Sequence, residues 1–255
     1  MPKTFLVTGG TGRLGSLVVD RLRQAGHDVR VTSRRTGPNL FTVDWKTGAG
    51  LAAALDGVDV VAHCASSYKD VDMDRALAEA AADAEVSHLL YISIVGVDRI
   101  PIKYYRLKLA AEQIVEQSGV PYTILRATQF HDYVRSVFAT LARVPMMLVP
   151  DVSFQSVDLS DVADRLVGLA MAPPAERAAD LGGPEIQKAT DMARMYLRSA
   201  GRRRMVVPFR LPGKAFGGLR SGYHLAPDHA DGRITFAGHL AARAGDQSVS
   251  DRTRP

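Results

Sequence analysis

Residues 8–15 read Thr8-Gly9-Gly10-Thr11-Gly12-Arg13-Leu14-Gly15. The stretch follows the apolar run TFLV and precedes a segment in which Leu14, Leu17, Val18 and Leu22 recur at three- to four-residue spacing. That change of period predicts a strand, a tight turn and an amphipathic helix. The glycines fit Gly10-x-Gly12-x-x-Gly15 or, equally, Gly9-x-x-Gly12-x-x-Gly15. A pyrophosphate needs backbone N–H groups at close range and a helix N-terminus aimed at it, and side chains would hold it away. Glycine removes that obstacle, and the strand-then-helix context is the one a dinucleotide loop requires. Gly9, Gly10, Thr11, Gly12, Arg13, Leu14 and Gly15 are therefore expected to line a dinucleotide site.

The alternation continues outward from this loop. DVRVTS, NLFTVDW, VDVVAHCAS, HLLYISIVGV and YTILRATQF read as further strands, with helical patterns in LAAALDG, VDMDRALAEAAADAE and YYRLKLAAEQIVEQSG between them. Val58–Val61 and Leu89–Ile94 are apolar nearly throughout, as strands covered on both faces of a parallel sheet are. The expected fold is α/β, a Rossmann-like doubly wound parallel sheet. From Pro145 the pattern loosens into short extended pieces, a helix that Ser160 is expected to cap, a helix near Thr190–Ala200, the strand-like MVVPF and a helical stretch in Thr235–Ala244. The expected division is a core over 1–145, a small substrate lobe over 146–245, and a disordered polar tail over 246–255.

The 255 residues are 46% hydrophobic and 23% charged, enough to bury a sizeable core. No apolar run approaches the roughly 18 residues of a membrane span. Met1-Pro2-Lys3 leads into the first strand without a signal-peptide pattern, so a cytoplasmic protein without a membrane partner is expected. Cys64 is the sole cysteine, which excludes an internal disulfide and reads as an inert core thiol. No metal cluster is expected. The net charge of +5 favours an anionic partner. The densest basic patch, Arg202-Arg203-Arg204, has no interleaved aromatics, so it reads as a solvated connection and no nucleic-acid partner is expected.

The end of the second strand selects the dinucleotide. An NAD site places Asp or Glu there for the ribose hydroxyls, whereas a 2′-phosphate is met by arginine. Here the strand ends in Thr32-Ser33-Arg34-Arg35 and Asp28 lies at its wrong end. The forked guanidinium of Arg34 or Arg35 with the Ser33 hydroxyl suits a phosphate, so NADP(H) is expected over NAD(H). Asp44 is a candidate acceptor for the adenine amino group or a plain turn carboxylate. Ala65 and Ser66, small residues after the fourth strand, are candidate cofactor contacts.

Tyr104 and Lys108 stand four apart in YYRLK, one above the other if the segment is helical. An ammonium near a phenol stabilises the phenolate and brings a proton donor toward working pH. Ser93, at the end of the fifth strand, could polarise the same acceptor oxygen, and Lys108 could also bond the nicotinamide ribose. Against this, Leu107, Ala110 and Ile114 read as the inward stripe, with Lys108 one step off it. Tyr105, three residues from Lys108, leaves the register open.

Four segments together, TGGTGRLG, YISIVGVD (91–98), KLAAEQIVEQSGVPYTILRATQF (108–130) and LAPDHADGRITFAGHLA (225–241), resemble the NmrA-like, atypical branch of the short-chain dehydrogenases/reductases. The resemblance covers nearly the whole chain. It implies a Rossmann domain with a small C-terminal substrate lobe, and a Ser-Tyr-Lys set that falls on Ser93, Tyr104 and Lys108. It further implies either an NADPH-dependent oxidoreductase acting on a small carbonyl or quinone, or a non-catalytic NADP(H) sensor that contacts a protein partner. Thr128–Tyr133 would line the nicotinamide side. There Phe130 could pack on the ring, and His131 could touch substrate or be bonded locally.

Overall fold

The structure is a computed structural model and describes residues 1–33, 36–38 and 40–243. The chain forms two compact units that interleave along the sequence. The first comprises Met1–Asp98, Ile102–Arg126 and Val162–Ala179, the second Arg99–Pro101, Ala127–Asp161 and Asp180–Pro255.

In the first unit β1 (Thr4–Thr8), α1 (Arg13–Gln24) and β2 (Asp28–Ser33) follow the opening motif. Then come β3 (Leu40–Thr42), α2 (Leu51–Leu55), β4 (Val60–His63), α3 (Asp72–Asp83), β5 (His88–Ile94), α4 (Lys103–Gln117) and β6 (Tyr122–Ala127). The sheet order is β3-β2-β1-β4-β5-β6, extended by the two-residue strand Glu176–Arg177 beside β6. β1 pairs parallel with β2 on one side and with β4 on the other. The chain therefore reverses direction across the sheet at β1, and ligands of doubly wound sheets bind in the crevice at such a switch point. The doubly wound α/β class expected from the sequence is the one observed.

Both faces of the central sheet are filled, and β4 carries no polar alternation. Leu6, Val61, Leu89, Tyr91 and Ile124 pack on one face with Leu55, Leu77, Ala111 and Val115. β4 is buried at every residue, and β5 at all but its last. At one margin Glu112, fully buried on α4, accepts two hydrogen bonds from Arg126, 2.9 and 2.7 Å long, and is also met by Arg177. Such a fork satisfies a carboxylate that would be costly to bury alone.

The stripe that α4 buries differs from the sequence expectation. Tyr105, Lys108, Ala111, Glu112 and Val115 are its buried residues, while Leu107, Ala110 and Ile114 are only half-buried. The reason is that polar side chains on this helix have buried partners, which apolar periodicity does not register.

In the second unit Met146–Pro150 pairs parallel with Met205–Phe209, and Ser153–Phe154 pairs antiparallel with Gln187–Lys188. Its core gathers Val134, Phe138, Met147, Val149, Met192, Tyr196, Leu197 and Phe236, drawn partly from the helices His131–Leu141 and Ala189–Ser199. Residues 236–243 are helical, and the expected disordered tail lies outside the described residues. The helix Leu159–Met171 is capped by Asp158, whose carboxylate accepts from the Ser160 N–H at 2.8 Å, so Ser160 is the capped residue and not the cap. An aspartate one position before the helix does this better because its ionised oxygens face the free N–H groups.

Candidate functional site

The glycine loop is built by steric exclusion. Gly9 has φ +67°, and a Cβ there would lie 2.9 Å from the Ala65 nitrogen, so the loop after β1 and the loop after β4 meet at backbone distance. A Cβ on Gly10 would meet Val31 at 2.7 Å, and one on Gly15 would lie 2.2 Å from the Gly9 carbonyl oxygen. Gly12 precedes the first turn of α1, with its N–H given to Gly9 at 2.8 Å. Leu14 is buried, while Thr11, Gly12 and Arg13 are exposed, and no acidic side chain stands in the first turn of α1. The positive end of a twelve-residue helix is thus presented to solvent without an acidic residue in its own first turn.

Two buried hydroxyls that find no hydrogen-bond partner among the described residues, Thr32 Oγ1 on β2 and Ser93 Oγ on β5, lie near the C-terminal ends of their strands. Buried polar atoms are ordinarily paired, so unmatched ones at the binding end of a sheet fit a site made to accept a polar ligand. The loop and these hydroxyls suit a dinucleotide.

A chain of buried polar groups runs beneath the same strand ends. Thr8, His63 and Tyr91 are register partners across β1, β4 and β5. The Ala65 N–H donates to Thr8 Oγ1 at 3.3 Å, and Thr8 Oγ1 lies 2.6 Å from His63 Nδ1. His63 Nε2 lies 3.0 Å from Asp74 Oδ1. With Asp74 as a carboxylate, which can only accept, the His63 Nε2–H donates to it, and in the neutral ring Nδ1 accepts a hydrogen bond from the Thr8 hydroxyl. Tyr91 also bonds Asp74, and Lys108 Nζ donates to Tyr91 Oη at 3.0 Å and to the Ile92 carbonyl at 2.7 Å.

Lys108 is only 5% exposed, and burial pushes its ammonium down to about 8, against the pull of Asp74 in the opposite direction. Burial likewise holds the Tyr91 hydroxyl well above the usual phenol range, with Asp74 adding to it. Cys64, at the end of β4, has its thiol pushed up to about 12 by burial, in line with an unreactive cysteine.

Tyr104 lies beside this chain, near enough for Tyr91 and Asp74 to act on it electrostatically, and takes other bonding partners. Its ring stacks on Tyr68 at 4.4 Å and 20°, and its hydroxyl bonds the Ser66 side chain. Burial raises it to about 12, the Ser66 bond opposing and Tyr68 adding to the rise. Both Tyr104 and Lys108 are helical, as the spacing requires, but the Lys108 ammonium donates to Tyr91 and the Ile92 carbonyl. Tyr91, Asp74, His63 and Tyr68 were not legible as site residues. The one available signal was the pair of polar residues, Thr8 and His63, closing two otherwise apolar strands.

The other expected contacts divide. Ser33 ends β2, and Arg34 and Arg35 lie outside the described residues. Asp44 is exposed and accepts from the Lys46 N–H at 2.9 Å, a bond that lowers its pKa. Phe130 belongs to the second unit and stands at the start of the helix His131–Leu141. His131 is bonded within the second unit but not locally in the chain, to Ser156 Oγ at 2.8 Å and to the Ile234 carbonyl at 2.9 Å.

A sequence profile described as NAD(P)H-binding matches residues 9–173, starting at the first glycine of the loop. The chain belongs to the NAD(P)H-binding family. It is 33% identical to the (4-alkanoyl-5-oxo-2,5-dihydrofuran-3-yl)methyl phosphate reductase of Streptomyces griseus subsp. griseus, over 78% of this chain and 74% of that protein. It is 28% identical to the NAD(P)H azoreductase of Xenophilus azovorans, over 78% and 74% respectively. Among solved structures, the NADPH-dependent quinone oxidoreductase QOR2 of Escherichia coli complexed with NADPH superposes with TM-score 0.79, over 94% of this chain and 99% of that one. At 18% identity that is a likeness of fold. The NAD(P)H-binding domain that the sequence resemblance implied is the one the family match shows.

Proposed function

We propose that this NAD(P)H-dependent oxidoreductase prefers NADPH and reduces a small carbonyl or quinone. The observation that carries the reading is the uncovered N-terminus of α1 beside a loop in which Gly9 and Gly15 leave no room for a Cβ. Arg34 and Arg35 would take a 2′-phosphate, with Ser33 beside them. The relatives named as reductases support the reaction class. Bound NADPH would supply the hydride. With a pKa of about 12, the Tyr104 hydroxyl keeps its proton through the working range and can donate a hydrogen bond to the acceptor oxygen. The unpaired Ser93 hydroxyl is a second donor. Lys108, charged at neutral pH, favours negative charge developing at that oxygen and fixes Tyr91.

Two measurements test this. NADPH should bind about ten-fold or more tightly than NADH, and that preference should collapse in Arg34→Ala/Arg35→Ala. Turnover of NADPH with a panel of quinones and aldehydes should fall roughly a hundred-fold in Tyr104→Phe, with the KM for NADPH unchanged. Equal rates would remove Tyr104 from the mechanism. The engagement of Lys108 by Tyr91 and the Ile92 carbonyl favours a second reading, an NADP(H) sensor with a protein partner. Tight NADPH binding without turnover of any acceptor is its signature.

A further inference from the structure

The second unit carries a feature that cofactor chemistry does not use. At the end of the helix Ala189–Ser199 a cleft of about 540 Å³ is lined by Arg194, Arg198, Arg202, Arg203 and Arg204, with Pro145, Leu197 and Met205 as its apolar wall. No carboxylate lines it. All five arginines are exposed, and among the described residues Arg194 is ion-paired with Asp191. Arg202 and Arg204 lean on the Ala142 carbonyl, which holds two guanidinium groups at the cleft wall. With Arg194 balanced by Asp191, the guanidinium groups of Arg198, Arg202, Arg203 and Arg204 crowd like charge into one hollow, and an anion relieves that repulsion.

A second observation adjoins the first through Met205. The ribbon of Met146–Pro150 and Met205–Phe209 is parallel, and its inner face, Met147, Val149 and Val206, packs on the core of the unit. Its outer face is also apolar but uncovered: Met146, Leu148 and Met205 are 48%, 44% and 64% exposed, and Val144 just before them is 53% exposed. Parallel strands are ordinarily covered on both sides, so this face lacks a layer.

We infer that this arginine cleft and the bare ribbon face form a docking surface for an anionic phospholipid bilayer. The guanidinium forks suit lipid phosphates, and the flexible apolar side chains beside them suit the chain region just below. The cleft is of a size to admit a phosphate with its glycerol. The apolar residues stand on an open face and not inside a cavity, which favours a surface over a dissolved ester. No aromatic side chain lines the cleft, so the stacking platform that single-stranded nucleic acid uses is missing. The surface does not depend on the proposed reaction.

The test is co-sedimentation of the full chain with vesicles of phosphatidylcholine alone or mixed equally with phosphatidylglycerol. Binding to the anionic vesicles should exceed binding to the neutral ones at least ten-fold and weaken as salt is raised. Arg198→Ala/Arg203→Ala should weaken it about thirty-fold, from the usual contribution of two arginines near an anionic surface. Met205→Ser/Leu148→Ser should weaken it while keeping the salt dependence, with thermal unfolding confirming that both variants fold. Lys46→Ala/Lys69→Ala, which removes two exposed lysines of the first unit, should change it less than about two-fold. The proposal is overturned by absence of vesicle binding, or by equal losses in the lysine variant and the arginine variant. It is likewise overturned by tighter binding of a single-stranded RNA, or by capture of monomeric dodecyl phosphate while vesicles stay unbound.

Discussion

The loop after β1 and the floor beneath β5 lie in one unit of the molecule and are specified in opposite ways. The loop is defined by atoms it lacks: at Gly9, Gly10 and Gly15 a single added carbon would come within 2.9 Å of a neighbour. The floor is defined by atoms it must have, a run of hydrogen bonds from Ala65 through Thr8, His63, Asp74 and Tyr91 to Lys108, supplied by β1, β4, α3, β5 and α4. At Gly15 the exclusion acts within the loop, against the Gly9 carbonyl, while Gly9 and Gly10 exclude a Cβ against Ala65 and Val31. A buried polar chain is assembled from residues up to a hundred positions apart. A loop of the first kind can move between proteins as a motif, whereas a floor of the second kind depends on the whole sheet.

Substitutions in the two regions should therefore fail differently. The largest effect is expected at Gly15→Ala. Its Cβ would stand 2.2 Å from a backbone oxygen that cannot step aside, and overpacking of that sort costs about 3 kcal/mol. NADPH affinity, read by fluorescence titration, should drop about a hundred-fold, because the first turn of α1 can no longer close on the loop.

Next comes the floor, where the effect is a pH dependence. The folded pKa of Lys108, about 8, lies below its ordinary 10.5, so between those values the unfolded chain holds the extra proton. Stability then rises with pH across that window, and the cost of burying the ammonium is fully present below about pH 8. The whole window corresponds to about 3 kcal/mol. Urea unfolding of the parent and Lys108→Met at several pH values should show this rise in the parent and its absence in the variant. A parallel pH response in both would break the contrast.

The smallest effect is expected at Ser93→Ala. Removing a buried hydroxyl without a partner should shift stability by no more than about 0.5 kcal/mol in either direction, as seen in thermal unfolding. Turnover should nevertheless fall if Ser93 donates to the acceptor oxygen. A large loss of stability would instead place Ser93 within the structural floor.

Much of the fold was legible in advance because its signals are local. Apolar runs of strand length, helical spacing between them and a glycine turn at the first junction are enough to require a doubly wound sheet. The cofactor loop was legible for the same reason. Lys108 was not: apolar periodicity put it outside the inward stripe of α4, whereas Tyr91, the Ile92 carbonyl and the charge of Asp74 make its burial tolerable. Ser160 misled in a similar way, since the carboxylate two residues earlier had the better geometry for the cap.

By itself, then, the sequence determined the alternation of strands and helices, the loop that membership of the NAD(P)H-binding family rests on, and the spacing of Tyr104 and Lys108. Only the tertiary structure decided which partners those two side chains take, Tyr68 and Ser66 for one, Tyr91 and Ile92 for the other. Backbone sterics and hydrophobic period act over a few residues and leave their mark in order and spacing. The pairing of buried polar groups depends on strand register and helix placement, which are fixed only when the sheet is complete.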